Sequence, residues 1–282
     1  MQVIVHGAVL AERLLYPAYL SPARFVRDIR KSSVLKHGRF PDTHCQPCSS
    51  SYIAMDTKIK DIVVQVPPER VSEHLETASN ALRALARDIG ARATRSNASL
   101  AYTNLVSRTA TDLARLSGFY PSCIEGVAWC ARNIFEINLV VRHISHKNEN
   151  MNRWLGQLAG DEKQIIQGFL TLSEASELPE KKLLQDRLGT IDAITARHNI
   201  QASGPFNIKS IANQEQLGDE YVGLYKLFSK YVHPSSWLVN SSADAVQSKE
   251  YMNIFIIYSQ LHAGDSASRI SDWLAANAGP QA

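Results

Sequence analysis

An all-α multi-helix bundle of about six to eight helices is what this sequence predicts, on three observations. From Met55 onward, apolar residues recur at spacings of three and four almost to the C-terminal end. Prolines fall at the edges of those periodic runs rather than inside them, where they would break a helix. Strand-like alternation is nearly absent; residues 61–66 are the one plausible strand, and no second strand stands beside them to pair with it. An apolar share of 45% and a charged share of 20% suit a chain that buries a core rather than one that stays unfolded.

The elements follow in order. Residues 1–54 carry no period, because Pro17, Pro22, Pro41 and Pro47 interrupt them and Ser49, Ser50 and Ser51 close the segment. Two expectations arise for this stretch: an accessory N-terminal arm, or translation that begins at Met55. Residues 55–282 then form a single helical domain. Pro67 and Pro68 open a helix over 69–89, since a proline in the first turn gives up an N–H that has no helical partner anyway. Gly90 marks its end. A second helix spans 97–116, with Leu100, Leu105, Leu113 and Leu116 as its apolar residues and Gly118 as its stop.

Pro121 introduces the longest helix, over 122–148. Its inner face is Ile124, Val127, Ala128, Ala131, Ile134, Phe135, Asn138 and Val141. Helices over 152–172 and 179–198 come next, the latter carrying Leu183, Leu184, Leu188, Ile191 and Ile194. Gly204-Pro205 breaks the chain, and a short helix over 208–213 leads to one over 218–233 that stops at Pro234. The last helix, over 243–262, has apolar residues on nearly every side, from Met252 through Leu261, which predicts a central, buried position.

Several function classes drop out. No run approaches ~18 uninterrupted apolar residues, so no membrane-spanning helix is expected. Glu12 and Arg13 interrupt the opening apolar stretch, which makes it a poor secretory signal, and the expected location is cytoplasmic. Four cysteines do not make a disulfide framework, and Cys123 and Cys130 are expected as buried thiols on a helix. A net charge of +3 permits a nucleic-acid partner without demanding one. There is no phosphate-cradling glycine loop, no dinucleotide fingerprint, no nucleophile elbow and no H-E-x-x-H pair, and no cofactor is expected.

Three constellations remain. In 221–237, YVGLYKLFSKYVHPSSW, a helix buries Tyr221, Leu224, Phe228 and Val232. Tyr225, Ser229 and His233 recur every four residues, and each such step advances only about 40° around the axis. They therefore line one polar edge, with His233 in the last turn and Lys226 beside Tyr225. The bland reading is that His233 caps the helix and Tyr225 merely packs. The second constellation is Arg132, Asn133 and Glu136, where Arg132 and Glu136 are four apart and can pair. An exposed pair of that kind does little. Here Ile134, Phe135 and Ile137 surround it, which predicts a half-buried pair turned toward a cleft. Arg142, His143 and His146 cluster further along, and no third ligand near the two histidines makes a metal site evident. The third is His37, His44, Cys45 and Cys48, a single zinc-knuckle-like group in the unpatterned segment. No metal is expected.

The Arg132-x3-Glu136 helix followed by Tyr225-x3-Ser229-x3-His233-Pro234-Ser235 resembles a bacterial helical family of uncharacterised function that is similar to the HEPN superfamily. The likeness spans about residues 69–262. It implies a helical bundle, frequent homodimers, and metal-independent RNA cleavage in toxin or phage-defence systems, where an antitoxin or a defence-system protein is the partner. The HEPN signature sets an arginine a short way before a histidine, whereas here Lys226 holds that place before His233. Lysine keeps the charge but lacks the planar fork. Arg39 with His44, and Arg30 with His37, match the signature's wording in the proline-rich segment and read as chance. The resemblance implies His233 as catalytic base and acid from two copies, Tyr225 and Ser229 orienting it, and Lys226 or Arg132 holding the phosphate, with Glu136, Asn133 and Arg142 on the substrate side. The alternative is a non-catalytic helical binding or assembly module.

Overall fold

Proline at the start and serine at the caps decide where several of these helices begin. The computed structural model describes residues 66–172 and 179–278. A 3-10 turn, Pro68–Arg70, leads into α1 (Val71–Arg92). Ser96 caps α2 (Asn97–Phe119) through a reciprocal box: its hydroxyl accepts from the Ser99 N–H, and the Ser99 hydroxyl accepts from the Ser96 N–H. The Cys123 thiol does the same for α3 (Ile124–His146), accepting from the Gly126 N–H at 3.4 Å. There follow α4 (Asn148–Leu172), α5 (Pro179–Arg197), α6 (Ile208–Gln214) and α7 (Gly218–Val232). Two short helices, α8 (Ser236–Asn240) and α9 (Ala243–Val246), precede the long α10 (Lys249–Asn277). Among the described residues the only bridge-type pairing is the isolated Ala93–Ala278 contact, so the fold is an all-α multi-helix bundle.

The core is built around α3. All eight residues of its predicted inner face are buried, Asn138 included. Around it pack α2, α7, α10 and α4, while α1 lies mainly against α2. Phe135 of α3, Phe228 of α7 and Phe255 of α10 run through the centre, with ring centroids 6.3 Å and 5.6 Å apart in succession. Buried rings of this size carry much of a core's hydrophobic stabilisation.

The hairpin of α4 and α5 has a separate cluster of its own, in which Ala159 and Ile166 meet Ile191 with Leu170, Leu184 and Leu188 alongside. Ion pairs clamp it from outside: Arg187 to Glu162, and Lys163 to Asp192. The chain then returns along α4 as an extended segment after α5. There the Ser203 N–H donates to the Gly156 carbonyl at 3.1 Å, and the Phe206 N–H donates to the Gln157 side-chain oxygen at 3.0 Å. That approach needs glycine. A Cβ on Gly156 would stand 2.1 Å from the Gln201 carbonyl oxygen, and one on Gly160 would stand 2.1 Å from that of Ser203.

Several sequence expectations are corrected. Gly90 and Gly118 lie inside α1 and α2 rather than ending them; a side chain at either would meet nothing, and buried Ile89 and Leu116 carry the helices through. Leu100, Leu183 and Ile194 face solvent. The buried stripe of α7 ends on Tyr231, whose hydroxyl donates to the Val246 carbonyl at 2.9 Å, not on Val232. The single helix expected over 122–148 stops at His146, with α4 starting at Asn148. The helix expected over 243–262 is two, because Ser248 caps a fresh start at Lys249, and the second runs on to Asn277. Its interior carries buried Ser259, Gln260, His262 and Ser266, so it is central without being apolar all round. No described helix is long and apolar enough to cross a membrane. The boundary near Met55, nearly all of the 61–66 strand, the His37, His44, Cys45 and Cys48 group and the Arg30 and Arg39 matches lie outside the described residues.

Candidate functional site

The outer edge of α3 carries Trp129, Arg132, Asn133 and Glu136, which fall within one quadrant or so of the helix by their spacing. Arg132 and Glu136 pair as expected, with Nε 2.8 Å from Oε1, and their side chains keep only 23% and 29% of their exposure. The sequence could not show where Arg132 points next. Its Nη1 lies 3.3 Å from Nε2 of His233, across 101 residues of chain, and its guanidinium carbon stands 5.2 Å from the ring centroid of Tyr225. Tyr225 in turn stacks on the buried Tyr221 at 5.2 Å. The two constellations singled out separately in the sequence are thus one constellation in space.

Its electrostatics follow from the geometry. Burial works against the charge of Arg132, but the hydrogen bond and negative charge of Glu136 outweigh it, with Tyr225 and Tyr221 adding, so its pKa is raised. A guanidinium only donates, so in this contact Nε2 of His233 is the acceptor. Burial, with Tyr225 and Glu136 helping, pushes the Tyr221 phenol up.

The other candidates sit as follows. His233 is the residue that ends α7, in extended backbone, and is exposed. Ser229 donates its hydroxyl to the Lys226 carbonyl at 3.0 Å, and Ser235 donates to the Lys230 carbonyl at 2.9 Å while its Oγ accepts from the Leu238 N–H to start α8. Both hydroxyls are therefore engaged by backbone rather than by the imidazole. Lys226 is exposed, and Asn133 is half-buried on the α3 edge beside Arg132.

Arg142 stands apart, in a polar layer between α3 and α10. Its Nη2 is 3.0 Å from Asp265 Oδ2, and its Nε donates to Asn138 Oδ1 at 3.1 Å. The Asn138 amide donates onward to Asp265, Ser266 and the His262 carbonyl, and Arg269 also pairs with Asp265. His262 Nε2 faces Glu220 Oε1 at 3.3 Å, an ionic distance at an angle that leaves the nitrogen without a hydrogen bond. His143 and His146 converge on Glu215 of the α6 C-cap, at 3.6 Å and 2.9 Å. Among the described residues no group of three or more His, Cys, Asp or Glu side chains is placed to hold a metal. The buried Cys130 thiol is pushed up to about 12 by burial and by Asp112, which keeps it protonated and inert.

Sequence reasoning passed over Trp129 and the two α2 arginines beside it. The signals for them were an aromatic residue on the polar edge of α3, where the inner-face pattern left a gap, and the spacings of four and three that set Arg108 and Arg115 about Asp112 on α2. Comparison with protein-family models, curated proteins and solved structures finds no match for this chain.

Proposed function

We propose that the chain is a HEPN-like, metal-independent ribonuclease acting as a toxin or defence effector, with Arg132 and His233 at its reacting centre. One observation carries the reading: a half-buried guanidinium and an imidazole, 101 residues apart in sequence, meet at 3.3 Å at the surface. That pairing supplies the arginine that the spacing around Lys226 lacked. Glu136 and His233 occupy two of the five N–H donors of Arg132, which leaves three to hold a phosphate in a fixed fork.

The chemistry needs a base, an acid and a cation beside the developing charge. Phosphate draws the guanidinium off Nε2, and the freed lone pair takes the proton of a ribose 2′-hydroxyl. The 2′-oxygen attacks the adjacent phosphorus and the bond to the 5′-oxygen breaks. His233 of the partner subunit in a homodimer, which enters the step as the imidazolium after taking a proton from water, gives that proton to the leaving oxygen. The products are a 2′,3′-cyclic phosphate and a 5′-hydroxyl. Lys226 adds a second, mobile positive charge, Tyr225 stacks under the guanidinium, and Glu136 keeps it oriented. An antitoxin or defence-system partner holds the activity in check.

Purified protein incubated with labelled RNA in the presence of a chelator tests this. Cleavage that leaves cyclic phosphate ends and disappears in His233→Ala and in Arg132→Ala is the expected result. Full cleavage by His233→Ala would sink the assignment. Induced expression gives the companion readout, growth arrest with fragmented RNA, relieved by the same substitution.

A second reading, a non-catalytic binding or assembly module, draws on the Ser229 and Ser235 hydroxyls, both committed to backbone carbonyls in the way a structural cap commits them. It predicts intact RNA with wild-type protein, and a loss of thermal stability in His233→Ala as the only effect of that change.

A further inference from the structure

One turn before Arg132 on α3, Trp129 keeps 39% of its surface exposed in a helix whose neighbouring positions are buried or half-buried. Two arginines of α2 frame it. The guanidinium carbon of Arg108 is 5.9 Å from the ring centroid and that of Arg115 is 5.5 Å. Both distances are near the ~6 Å limit of a cation–π contact, so the ring alone does not fix them. What fixes them is Asp112. Its carboxylate, with no exposure at all, receives Arg108 Nε at 2.9 Å and Arg115 Nη1 at 3.4 Å, while the two arginine side chains remain 47% and 44% exposed.

Burying a carboxylate is costly unless cations answer it. Here the answering cations are partly exposed and lie within about 6 Å of an indole that is also partly exposed. A binding group set in place by supporting contacts behind it is how a preorganised site is built.

Resting on the ribonuclease reading, we propose that Trp129, framed by Arg108 and Arg115, is a nucleobase-stacking platform that extends the Arg132–His233 site by one nucleotide, so that the substrate is single-stranded RNA. Trp129 and Arg132 lie three residues apart on one helix edge, about 4.5 Å in axial rise, which is within the reach of one nucleotide step. A phosphate on Arg132 therefore leaves the neighbouring base above the indole, and the flanking phosphate between the two α2 arginines. Bases in a duplex are stacked on each other and cannot be presented this way; unpaired bases stack readily on aromatic side chains.

Fluorescence anisotropy with a short labelled oligoribonucleotide, 2′-O-methylated so that it binds without being cut, tests the proposal on the intact chain. Trp129→Ala is expected to weaken binding about tenfold, and Trp129→Phe, which keeps a stacking face, to retain most of it. A single abasic position in the probe should abolish the difference between wild type and Trp129→Ala. A duplex of the same sequence should bind equally to both. Equal affinity of wild type and Trp129→Ala for the single strand, with matching thermal stability, would overturn the platform. Cleavage by wild type that remains dependent on His233 would then leave the ribonuclease reading standing. Wild-type protein that neither binds nor cuts RNA would remove both.

Discussion

His143 shows how one buried ring makes the fold sensitive to pH. It lies edge-on to Phe206, with centroids 5.3 Å apart, and its Nδ1 is 3.6 Å from Glu215. Burial lowers its pKa below the ordinary 6.5, with His146 and Arg153 pushing the same way, and Glu215 only partly compensates. A histidine that binds its proton less readily when folded contributes stability that is full above the unfolded value and lost as pH falls through the folded one. Denaturant titrations between about pH 5 and 8 should show stability falling toward the acid side, with a shallower fall in His143→Gln. Asp265 acts on a lower window. Burial alone would raise its pKa, but the charge of Arg142 and the hydrogen bonds from Arg269 and Asn138 hold it below 3.8, so its contribution is present above that value and lost below it. Asp265→Ala strands Arg142 in the polar layer and should cost about 3 kcal/mol, the low end for a broken buried pair because some exposure remains. Chemical denaturation near neutral pH measures it. At this scale the sequence was legible where partners share a helix. Arg132 with Glu136 follows from a spacing of four, and Tyr225 and His233 from a repeated one. No spacing rule spans α2 to α3 or α3 to α7, so Trp129 against Arg108 and Arg115, and Arg132 against His233, were invisible. Asp112 under its two arginines, by contrast, follows from spacings of four and three on α2 and was passed over.

The helices were legible for a related reason: their inner faces repeat. Every inward residue predicted for α3 is buried, since a helix packed on several sides by others leaves no room for an error of register. Stops were harder to read. Glycine disfavours a helix by only about 1 kcal/mol, and burial of the neighbouring Ile89 and Leu116 overrides that at the exposed Gly90 and Gly118. Exposed Leu183 and Ile194 misled because a two-helix hairpin has only one inner stripe, filled by Leu184, Leu188 and Ile191. The α4 glycines mean the opposite of a stop, for they admit a second backbone. Gly156→Ala or Gly160→Ala forces the returning segment away from α4 and should destabilise by about 1–3 kcal/mol, whereas Gly168→Ala, where a Cβ meets nothing, should stabilise slightly or leave Tm unchanged. Thermal melts of the three variants side by side separate close approach from helix propensity.

On the scale of the molecule, two apolar clusters of unequal size hold different parts of the chain. The large one joins α1, α2, α3, α6, α7, α9 and α10 with the first turns of α4, and the small one joins the rest of α4 to α5. Regions with few buried apolar contacts open first. Hydrogen exchange should therefore release α5 amides well before those of α3, and similar protection of the two helices would show that the bundle opens as one unit. The 101-residue span closed by Arg132 and His233 bears on how such a protein is made. Every copy is assembled on a ribosome travelling along a messenger, and α3 emerges with its arginine long before the imidazole has been polymerised. A nascent chain, or one released early by a damaged message, holds only half of the pair. On the ribonuclease reading, the messenger is safe from its own product until translation has passed His233 and α7 has cleared the exit tunnel to dock.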